Sequence, residues 1–235
     1  MKTVRLDKFL SDNTALSRSQ IRVTVKRGNV SVNGAIIRDF GAKISPETDV
    51  IQLDNEVVSN KAFIYLILNK PKGVITASRD KLSQTIIDLI PDEFKHYDLF
   101  AVGRLDKDTT GLLLITNDGD FAHKVISPKS DVEKSYIAKV DGIAKENATE
   151  ILLSGVTLSD GTVCRPAKLE FIGENTVRVI ITEGKYHQVK RLLGYIGLGV
   201  VELHRERIGQ LVLPQDLANG EIREIGQTMA FSVFS

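Results

Sequence analysis

A polar, acidic segment followed directly by four aliphatic residues lies near the middle of the chain. The stretch from Gly103 to Thr116 reads GRLDKDTTGLLLIT, and its apolar part is Leu112–Ile115. Such a run beside turn residues predicts a strand buried in a core. Asp106 and Asp108 would then lie at the mouth of that strand, where burial and neighbouring cations set the reactivity of a carboxylate. The alternative is a polar turn in which Asp108 and the two threonines after it bond their own backbone.

The length and composition predict a two-unit globular protein. The 235 residues are 26% charged and 42% apolar, which indicates neither disorder nor a fibrous repeat. The longest apolar stretches, such as residues 63–68, are too short to cross a bilayer. The N-terminal MKTVRLDKFL has no apolar signal-peptide core, and the single cysteine, Cys164, excludes an internal disulfide. We therefore expect a cytoplasmic protein without a membrane segment.

The charge of the chain is distributed unevenly. Residues 1–45 contain nine Lys or Arg and three Asp, a local excess of +6, although the whole chain carries only +1. The remainder therefore has a net charge of −5. A basic module on a mildly acidic body indicates a polyanionic partner, and nucleic-acid phosphates are the commonest one.

A short basic helix is predicted within this N-terminal region. Ser17 is a suitable N-cap for a helix that runs to Arg27, and Gly28 follows where a left-handed residue is expected. Arg18, Arg22 and Lys26 recur every four residues and would form one stripe. A solvated charged face without a ligand is the alternative interpretation.

The segment after this helix predicts a hairpin and leads to a family resemblance. Val30 and Val32 precede Asn33-Gly34, a dipeptide typical of tight hairpin turns, and another strand is predicted at residues 50–53. VRLDKFLSDN and SRSQIRVTVKRGNVSVNG resemble the S4 module, a small RNA-binding domain, over residues 1 to about 58. The resemblance implies that four cations face RNA phosphates: Arg18, Arg22, Lys26 and Arg27.

The remaining chain predicts a mixed sheet. Residues 54–62 show no periodicity and are interpreted as a linker, so that the expected domains are 1–58 and 63–235 with the connection at 59–62. Short strands with few helices between them favour an α+β fold, in which a mixed, mainly antiparallel sheet carries flanking helices. Strands are predicted at 63–68, 111–116, 136–140 and 176–182, and short helices at 120–126 and 147–153.

One later helix has a well-defined inward face. Val189, Leu192, Leu193 and Ile196 follow the i, i+3, i+4, i+7 spacing. Lys190 lies on the flank of that face, so it can be partly buried and approach a carboxylate. Just upstream, Gly184 would let a substrate backbone come close.

A second resemblance covers residues 63 to about 226. The chain resembles the RsuA-like family of pseudouridine synthases, enzymes that isomerise uridine in RNA. Five blocks in the same order carry the resemblance: FIYLILNKPKGVITA, AVGRLDKDTTGLLLITNDGDFAHKVISP, EKSYIAKV, EGKYHQVKRLLGYIG and VVELHRERIG.

The resemblance implies roles for four residues. Asp106 is implied as the catalytic aspartate that acts on the ribose so that the N1–C1′ bond breaks, by attack on C1′ or by removal of a proton from C2′. Lys190 is implied as its cationic partner and Tyr136 as the ring that stacks on uracil. Arg104 is implied to fill the RNA stack when the nucleotide is extruded.

The isomerisation requires no oxidant, nucleoside triphosphate or metal, so no cofactor is expected. The four histidines and Cys164 have no zinc spacing, and no GxxxxGK[ST] loop is present. His187 and His204 are interpreted as structural or RNA-facing.

Several features favour a substrate in small-subunit 16S ribosomal RNA, free or in an assembly intermediate. The DTTG and VVELHRERIG segments resemble the small-subunit members most closely, since large-subunit relatives usually carry Asn at position 108. A large-subunit 23S synthase and a non-catalytic ribosome assembly factor remain as alternatives. A hydrolase with Asp106 and Asp108 as a carboxylate pair is disfavoured, because residues two apart on an extended segment point to opposite faces unless the backbone turns sharply. We expect a monomer.

Overall fold

The structure, a computed structural model, describes residues 3–14, 16–59 and 63–235, which form two compact units. The first unit extends to Ile64 and includes Ile90–Asp98; the second comprises Tyr65–Leu89 and Leu99–Ser235. Except for Ser59, the predicted linker 59–62 lies outside the described residues. The predicted domain 63–235 is thus interrupted by nine residues that group with the first unit.

The first unit contains a helix pair and small sheets. The predicted basic helix is present: the Ser17 hydroxyl accepts a hydrogen bond from the Gln20 amide, the Gln20 side chain bonds the Ser17 amide, and Gly28 ends the helix with φ 87°. Ile21 and Val25 of this helix lie in a core with Leu6, Phe9 and Leu10. The helices and strands of this unit are β1 (Val4–Arg5), α1 (Leu6–Asn13), α2 (Arg18–Arg27), β2 (Val30–Val32), β3 (Ala35–Ile36), β4 (Lys43–Ile44), β5 (Ile51–Leu53) and β6 (Glu56–Val57), with a 3₁₀ turn at Asp92–Phe94.

The predicted hairpin is also present. Asn33 and Gly34, with φ of 52° and 80°, join β2 to β3, and β2 also pairs with β5. A second two-residue turn at Asp54 and Asn55 leads into β6, which pairs with β5. Part of the predicted linker 54–62 is therefore a strand. The turn was missed because it lacks glycine and relies on Asp and Asn tolerating positive φ.

The second unit is built on a nine-stranded sheet, counted over the described residues. The strand order is β13-β14-β10-β15-β9-β7-β17, and β8 and β16 pair with β9 and β15. Every pairing is antiparallel except that of β9 with β15, which confirms the mainly antiparallel α+β class. The strands of this sheet are β7 (Tyr65–Lys70), β8 (Phe100–Ala101), β9 (Thr110–Thr116), β10 (Lys134–Gly142), β13 (Lys168–Gly173), β14 (Thr176–Ile181), β15 (Leu198–Ile208), β16 (Leu211–Val212) and β17 (Ile222–Glu224). A separate two-stranded antiparallel sheet pairs β11 (Val156–Thr157) with β12 (Val163–Cys164).

Helices cover this sheet and complete its core. In β14 the alternation predicted from sequence buries Val177, Val179 and Ile181. The C-terminal segment packs Phe231 against Phe121, with ring centroids 5.2 Å apart. None of the helices formed by the described residues is long and apolar enough to span a membrane. The helices are α3 (Gly119–Ile126), α4 (Ala148–Leu153), α5 (Gln188–Tyr195) and α6 (Gln227–Phe231), with 3₁₀ turns at Ile87–Leu89, Pro128–Ser130 and Ser232–Phe234.

Candidate active site

A cavity of about 720 Å³ in the second unit collects the residues predicted for the site. Asp106 comes from the segment before β9, Tyr136 from β10, and Lys190 from α5. Arg104 also lines this cavity. Residues far apart in the sequence are thus brought together by the sheet and by one helix laid beside it.

The carboxylates of Asp106 and Asp108 both approach Lys190, because the backbone turns between them. The Thr109 amide donates to the Asp106 carbonyl at 3.1 Å, which closes a turn. Lys190 Nζ donates to both carboxylate oxygens of Asp108, at 2.6 and 2.7 Å, and lies 3.6 Å from Asp106 Oδ2. Opposite faces were expected for these two carboxylates unless the backbone turned sharply, and the structure has this sharp turn, so both carboxylates approach one site. The Lys190 hydrogen bonds also keep the pKa of Asp108 below its ordinary value.

His187 is a further neighbour of Asp106. Its Nε2 lies 3.5 Å from Asp106 Oδ1, and its ring stacks on Tyr186 with centroids 3.9 Å apart. His187 has φ 46°, a left-handed conformation that is uncommon for a residue with a side chain. The sequence pattern offered no signal for this position, because the contact depends on the local backbone at the start of α5. His204, in contrast, is partly buried and its Nδ1 shares a hydrogen bond with the Thr110 hydroxyl, which favours the structural interpretation.

Lys70 supports the Asp106–Thr109 turn from inside the fold. Its side chain is fully buried, and Nζ donates to the carbonyls of Thr109 at 2.9 Å, Pro71 at 3.1 Å and Lys107 at 3.4 Å. Burial lowers the pKa of Lys70 to about 8, although the nearby charges of Asp108 and Asp106 act in the opposite direction. In the sequence, the signal for this contact is a lysine at the end of an apolar strand, β7.

Glu183 fixes the start of α5, the helix that presents Lys190. Its Oε1 accepts hydrogen bonds from the Arg165 amide at 3.0 Å and from Gln188 Nε2 at 2.6 Å, and Oε2 lies 3.2 Å from Lys185 Nζ. Burial alone would raise the pKa of Glu183, but these partners outweigh it and lower the pKa. The predicted inward face of α5 is confirmed, since Val189, Leu192 and Leu193 are buried.

Tyr136 lies deep in the cavity beside an arginine. It is 8% exposed, and Arg205, its cross-strand neighbour on β15, donates to the phenol oxygen at 3.4 Å. The adjoining parallel pair of β9 and β15 requires Gly111, because a Cβ there would lie 2.3 Å from the Arg205 carbonyl oxygen. At Gly184, in contrast, an added Cβ would meet no atom of the protein within 4 Å.

The predicted RNA-facing cations are all exposed. Arg104 lies at the rim of the cavity, and its side chain makes no hydrogen bond or ion pair with any described residue. In the first unit the Arg22 guanidinium lies over the Phe40 ring, 5.1 Å from its centroid. The exposed cations of α2 are Arg18, Arg22, Lys26 and Arg27.

The site can therefore hold an ionised carboxylate beside a lysine, next to a buried phenol ring. In the described part of the chain, no group of three or more His, Cys, Asp or Glu side chains is placed to bind a metal ion. Lys70 and Arg205 were not considered for the site from the sequence, and the contacts of Asp108 with Lys190 and of His187 with Asp106 were not predicted. All four contacts depend on tertiary structure.

Comparison with known proteins identifies both units. A family model described as RNA pseudouridylate synthase matches residues 64–194, and the S4 domain model matches residues 4–51. The ribosomal small subunit pseudouridine synthase A of Escherichia coli strain K12 is 38% identical over 98% of this chain and 100% of its own length. An RNA pseudouridine synthase named YtzG from Bacillus subtilis strain 168, described as uncharacterized, is 40% identical over 94% of this chain and 95% of its own.

A solved structure agrees with these relatives. The crystal structure of a pseudouridylate synthase superimposes with a TM-score of 0.68 at 36% identity, over 98% of this chain and 99% of the other. The chain therefore belongs to the RNA pseudouridylate synthase family.

Proposed function

We propose that this enzyme converts one specific uridine of small-subunit 16S ribosomal RNA to pseudouridine, with Asp106 as the catalytic residue. The observation that carries this proposal is the convergence of Asp106, Lys190 and Tyr136 on one cavity. Nearly full-length similarity to small-subunit synthases supports the choice of RNA. Asp108 supports it as well, because large-subunit members of the family usually carry Asn there.

Asp106 is placed to start the reaction. Lys190 Nζ lies 3.6 Å from its Oδ2 and His187 Nε2 lies 3.5 Å from its Oδ1, and the Asp106 side chain is 29% exposed. The carboxylate either attacks C1′ or removes the C2′ proton, and in both routes the N1–C1′ electron pair leaves with uracil. The base then turns and forms a bond from C5 to C1′. On the first route this bond displaces the Asp106 carboxylate from C1′, and on the second the proton taken from C2′ returns to C2′. On both routes the C5 hydrogen is lost as a proton and N1 takes up a proton.

Binding of the target nucleotide requires extrusion from folded RNA. Tyr136 offers a ring on which the extruded uracil stacks. Arg104, at the rim and free of partners among the described residues, is placed to occupy the gap that the nucleotide leaves. The exposed cations of α2 bind phosphates of the same RNA. We also infer that the protein acts as a monomer in the cytoplasm, where ribosomal RNA is assembled, since one chain supplies every group of the site.

Tritium release from uridine C5 tests this function. The enzyme is given C5-tritiated 16S RNA, either naked or in small-subunit particles, with 23S RNA in parallel. Wild type releases one tritium per 16S RNA, whereas Asp106→Asn loses release by about 10⁴-fold or more because the reacting group is removed, with RNA affinity unchanged. Asp120→Asn, an exposed carboxylate in α3, is the control and keeps the wild-type rate.

Each other outcome has a definite meaning. Release from 23S RNA alone would assign the enzyme to the large subunit. Binding without release from any RNA would favour the non-catalytic assembly factor. Normal release by Asp106→Asn would move the catalytic role to another residue.

A further inference from the structure

Two buried cations in the same cavity have unused hydrogen-bond donors. Lys134 and Arg205 are 8% and 4% exposed, and both line the cavity. Arg205 donates through Nε to the Leu112 carbonyl at 2.8 Å and through Nη1 to the Tyr136 hydroxyl at 3.4 Å. Neither Arg205 Nη2 nor Lys134 Nζ has a hydrogen-bond partner among the described residues.

This arrangement is costly without a ligand. Buried cations are normally paired with carboxylates, and an unpaired one loses hydration without recovering it. Here the two cations repel each other: burial and the charge of Arg205 lower the pKa of Lys134 to about 8. The acidic groups that line the cavity are engaged elsewhere, Asp106 with Lys190 and His187, and Glu183 with Lys185 and Gln188. An anion that arrives with the substrate is therefore the expected partner.

The depth of the two cations indicates which part of the substrate reaches them. Arg104 is exposed at the rim, and Asp106 is 29% exposed, whereas Tyr136, Lys134 and Arg205 are nearly inaccessible. Asp106 acts on the ribose, so the phosphates must lie on the outer side of it and the base on the inner side. Lys134 and Tyr136 are two residues apart on β10, and Arg205 is the cross-strand partner of Tyr136, so all three share one face of the sheet.

We propose that Lys134 and Arg205 donate hydrogen bonds to the carbonyl oxygens of uracil and stabilise the base as an anion after it has left the ribose. This inference rests on the proposed isomerisation. When the N1–C1′ bond breaks, its electron pair leaves one negative charge spread over N1, O2 and O4. The same charge makes C5 nucleophilic; C5 then bonds to C1′, the C5 proton goes to water, and N1 takes up a proton.

Such donors act mainly on the detached base. A neutral uracil gains little from two cations, whereas the anion is strongly stabilised in a site shielded from water. The interaction therefore lowers the barrier to cleavage without adding much to RNA affinity. It also retains the base while it turns from N1 to C5.

Lys134→Met tests the proposal, since methionine keeps the length and removes the charge. Single-turnover tritium release at saturating RNA is expected to slow by about 100-fold, the usual cost of one donor to a developing anion. RNA affinity should stay within about twofold, and thermal stability should be unchanged or higher because an unpaired buried charge is removed. Lys139→Met is the matched control: this lysine lies on the same strand, exposed and paired with Glu202, and its variant keeps the wild-type rate.

Thio-substituted RNA shows whether the donors meet the base. RNA with 2-thiouridine or 4-thiouridine at the target replaces a carbonyl oxygen by a weaker acceptor. The intrinsic change in leaving ability is common to both enzymes and cancels in the ratio of their rates. At one position or both, the thio effect should be at least fivefold larger for wild type than for Lys134→Met.

The pH profile provides a test that needs no loss of a side chain. The wild-type rate is expected to fall above about pH 8 as Lys134 loses its proton, and Lys134→Arg should keep its rate there. The titratable and charged groups that line the cavity with Lys134 are Arg104, Asp106, Lys107, Tyr136, Glu183, Lys185, Tyr186, His187, Lys190 and Arg205. None of these is altered in Lys134→Arg, so a limb that disappears only in this variant belongs to Lys134.

Contrary results are distinguishable from failure of the isomerase itself. If wild type and Lys139→Met release no tritium, the proposed function fails. If both release tritium and Lys134→Met releases it at the same rate, Lys134 does not act on the base and the inference is wrong. A drop in RNA affinity at an unchanged rate would assign the two cations to a backbone phosphate instead. Should Lys134→Met fail to fold, an alkaline limb that is equal in wild type and Lys134→Arg overturns the proposal.

Discussion

At the residue scale, two lysines hold the Asp106–Thr109 turn: Lys190 from the cavity and Lys70 from inside the fold. Lys190 donates hydrogen bonds to the Asp108 carboxylate and lies 3.6 Å from Asp106 Oδ2, so it supplies a positive charge beside both carboxylates. Lys70 bonds backbone carbonyls and so sets the position of the turn. The proposed role of Asp106 depends on placing its carboxylate within a fraction of an ångström, so we expect both contributions to affect the rate.

Replacing Lys70 by methionine should damage stability and rate together. The variant removes the Lys70 donor from the Thr109 and Pro71 carbonyls, whereas the Lys107 carbonyl keeps the Gly73 amide as a donor. We expect the free energy of unfolding to fall by about 2–4 kcal/mol. The turn is then held less firmly, and tritium release should slow by about tenfold or more. Denaturant unfolding and single-turnover release measure the two effects. Lys72→Met, an exposed neighbour, should change neither; a destabilised Lys70→Met with full activity would show that the turn keeps its position without this lysine.

At the scale of helices and strands, local signals in the sequence predicted most elements. They did not predict the contacts between elements that are distant in the sequence. α2 follows from Ser17 and Gly28, α5 from its apolar spacing, and β14 from its alternation. Each of these signals lies within a dozen residues. The turn that brings Asp108 to Lys190 carries no such local signal. It depends on Lys70, which lies at the end of β7 and is separated from the turn by two 3₁₀ turns and β8. The parallel pairing of β9 with β15 was equally invisible, since it joins distant segments.

A substitution at Gly111 tests the parallel pairing of β9 with β15. In Gly111→Ala the new Cβ would overlap the Arg205 backbone, and φ of 103° is strained for alanine. We expect a loss of about 3 kcal/mol or more in the free energy of unfolding, with reduced tritium release because β9 directly follows the turn that holds Asp106, the proposed catalytic residue. Gly119→Ala in the first turn of α3 meets open space and should leave stability unchanged or slightly higher. Equal stability of both variants would show that the two strands can separate without cost.

At the scale of the whole molecule, the charge distribution favours the first unit as the main RNA-binding surface. The excess of +6 in residues 1–45 was visible from composition alone, and the structure exposes four of these cations on α2. Composition could not show which cations are already neutralised. In the first unit, Arg5, Lys8 and Lys95 form ion pairs with Asp7, Asp12 and Asp92, whereas Arg18, Arg22 and Lys26 have no ion pair with a described residue.

This difference permits a charge-matched test of RNA binding. Changing Arg18, Arg22 and Lys26 together to glutamine should weaken binding and flatten the dependence of log affinity on log salt by about 2–3, because up to three phosphate contacts no longer release counterions. The rate of tritium release at saturating RNA should remain near wild type, since the cavity lies in the second unit. Changing Arg5, Lys8 and Lys95 to glutamine removes the same charge from cations that are already paired, so the slope should change by less than about 1. Equal slopes for the two triple variants would mean that net charge alone attracts the RNA and that α2 has no special contact with it.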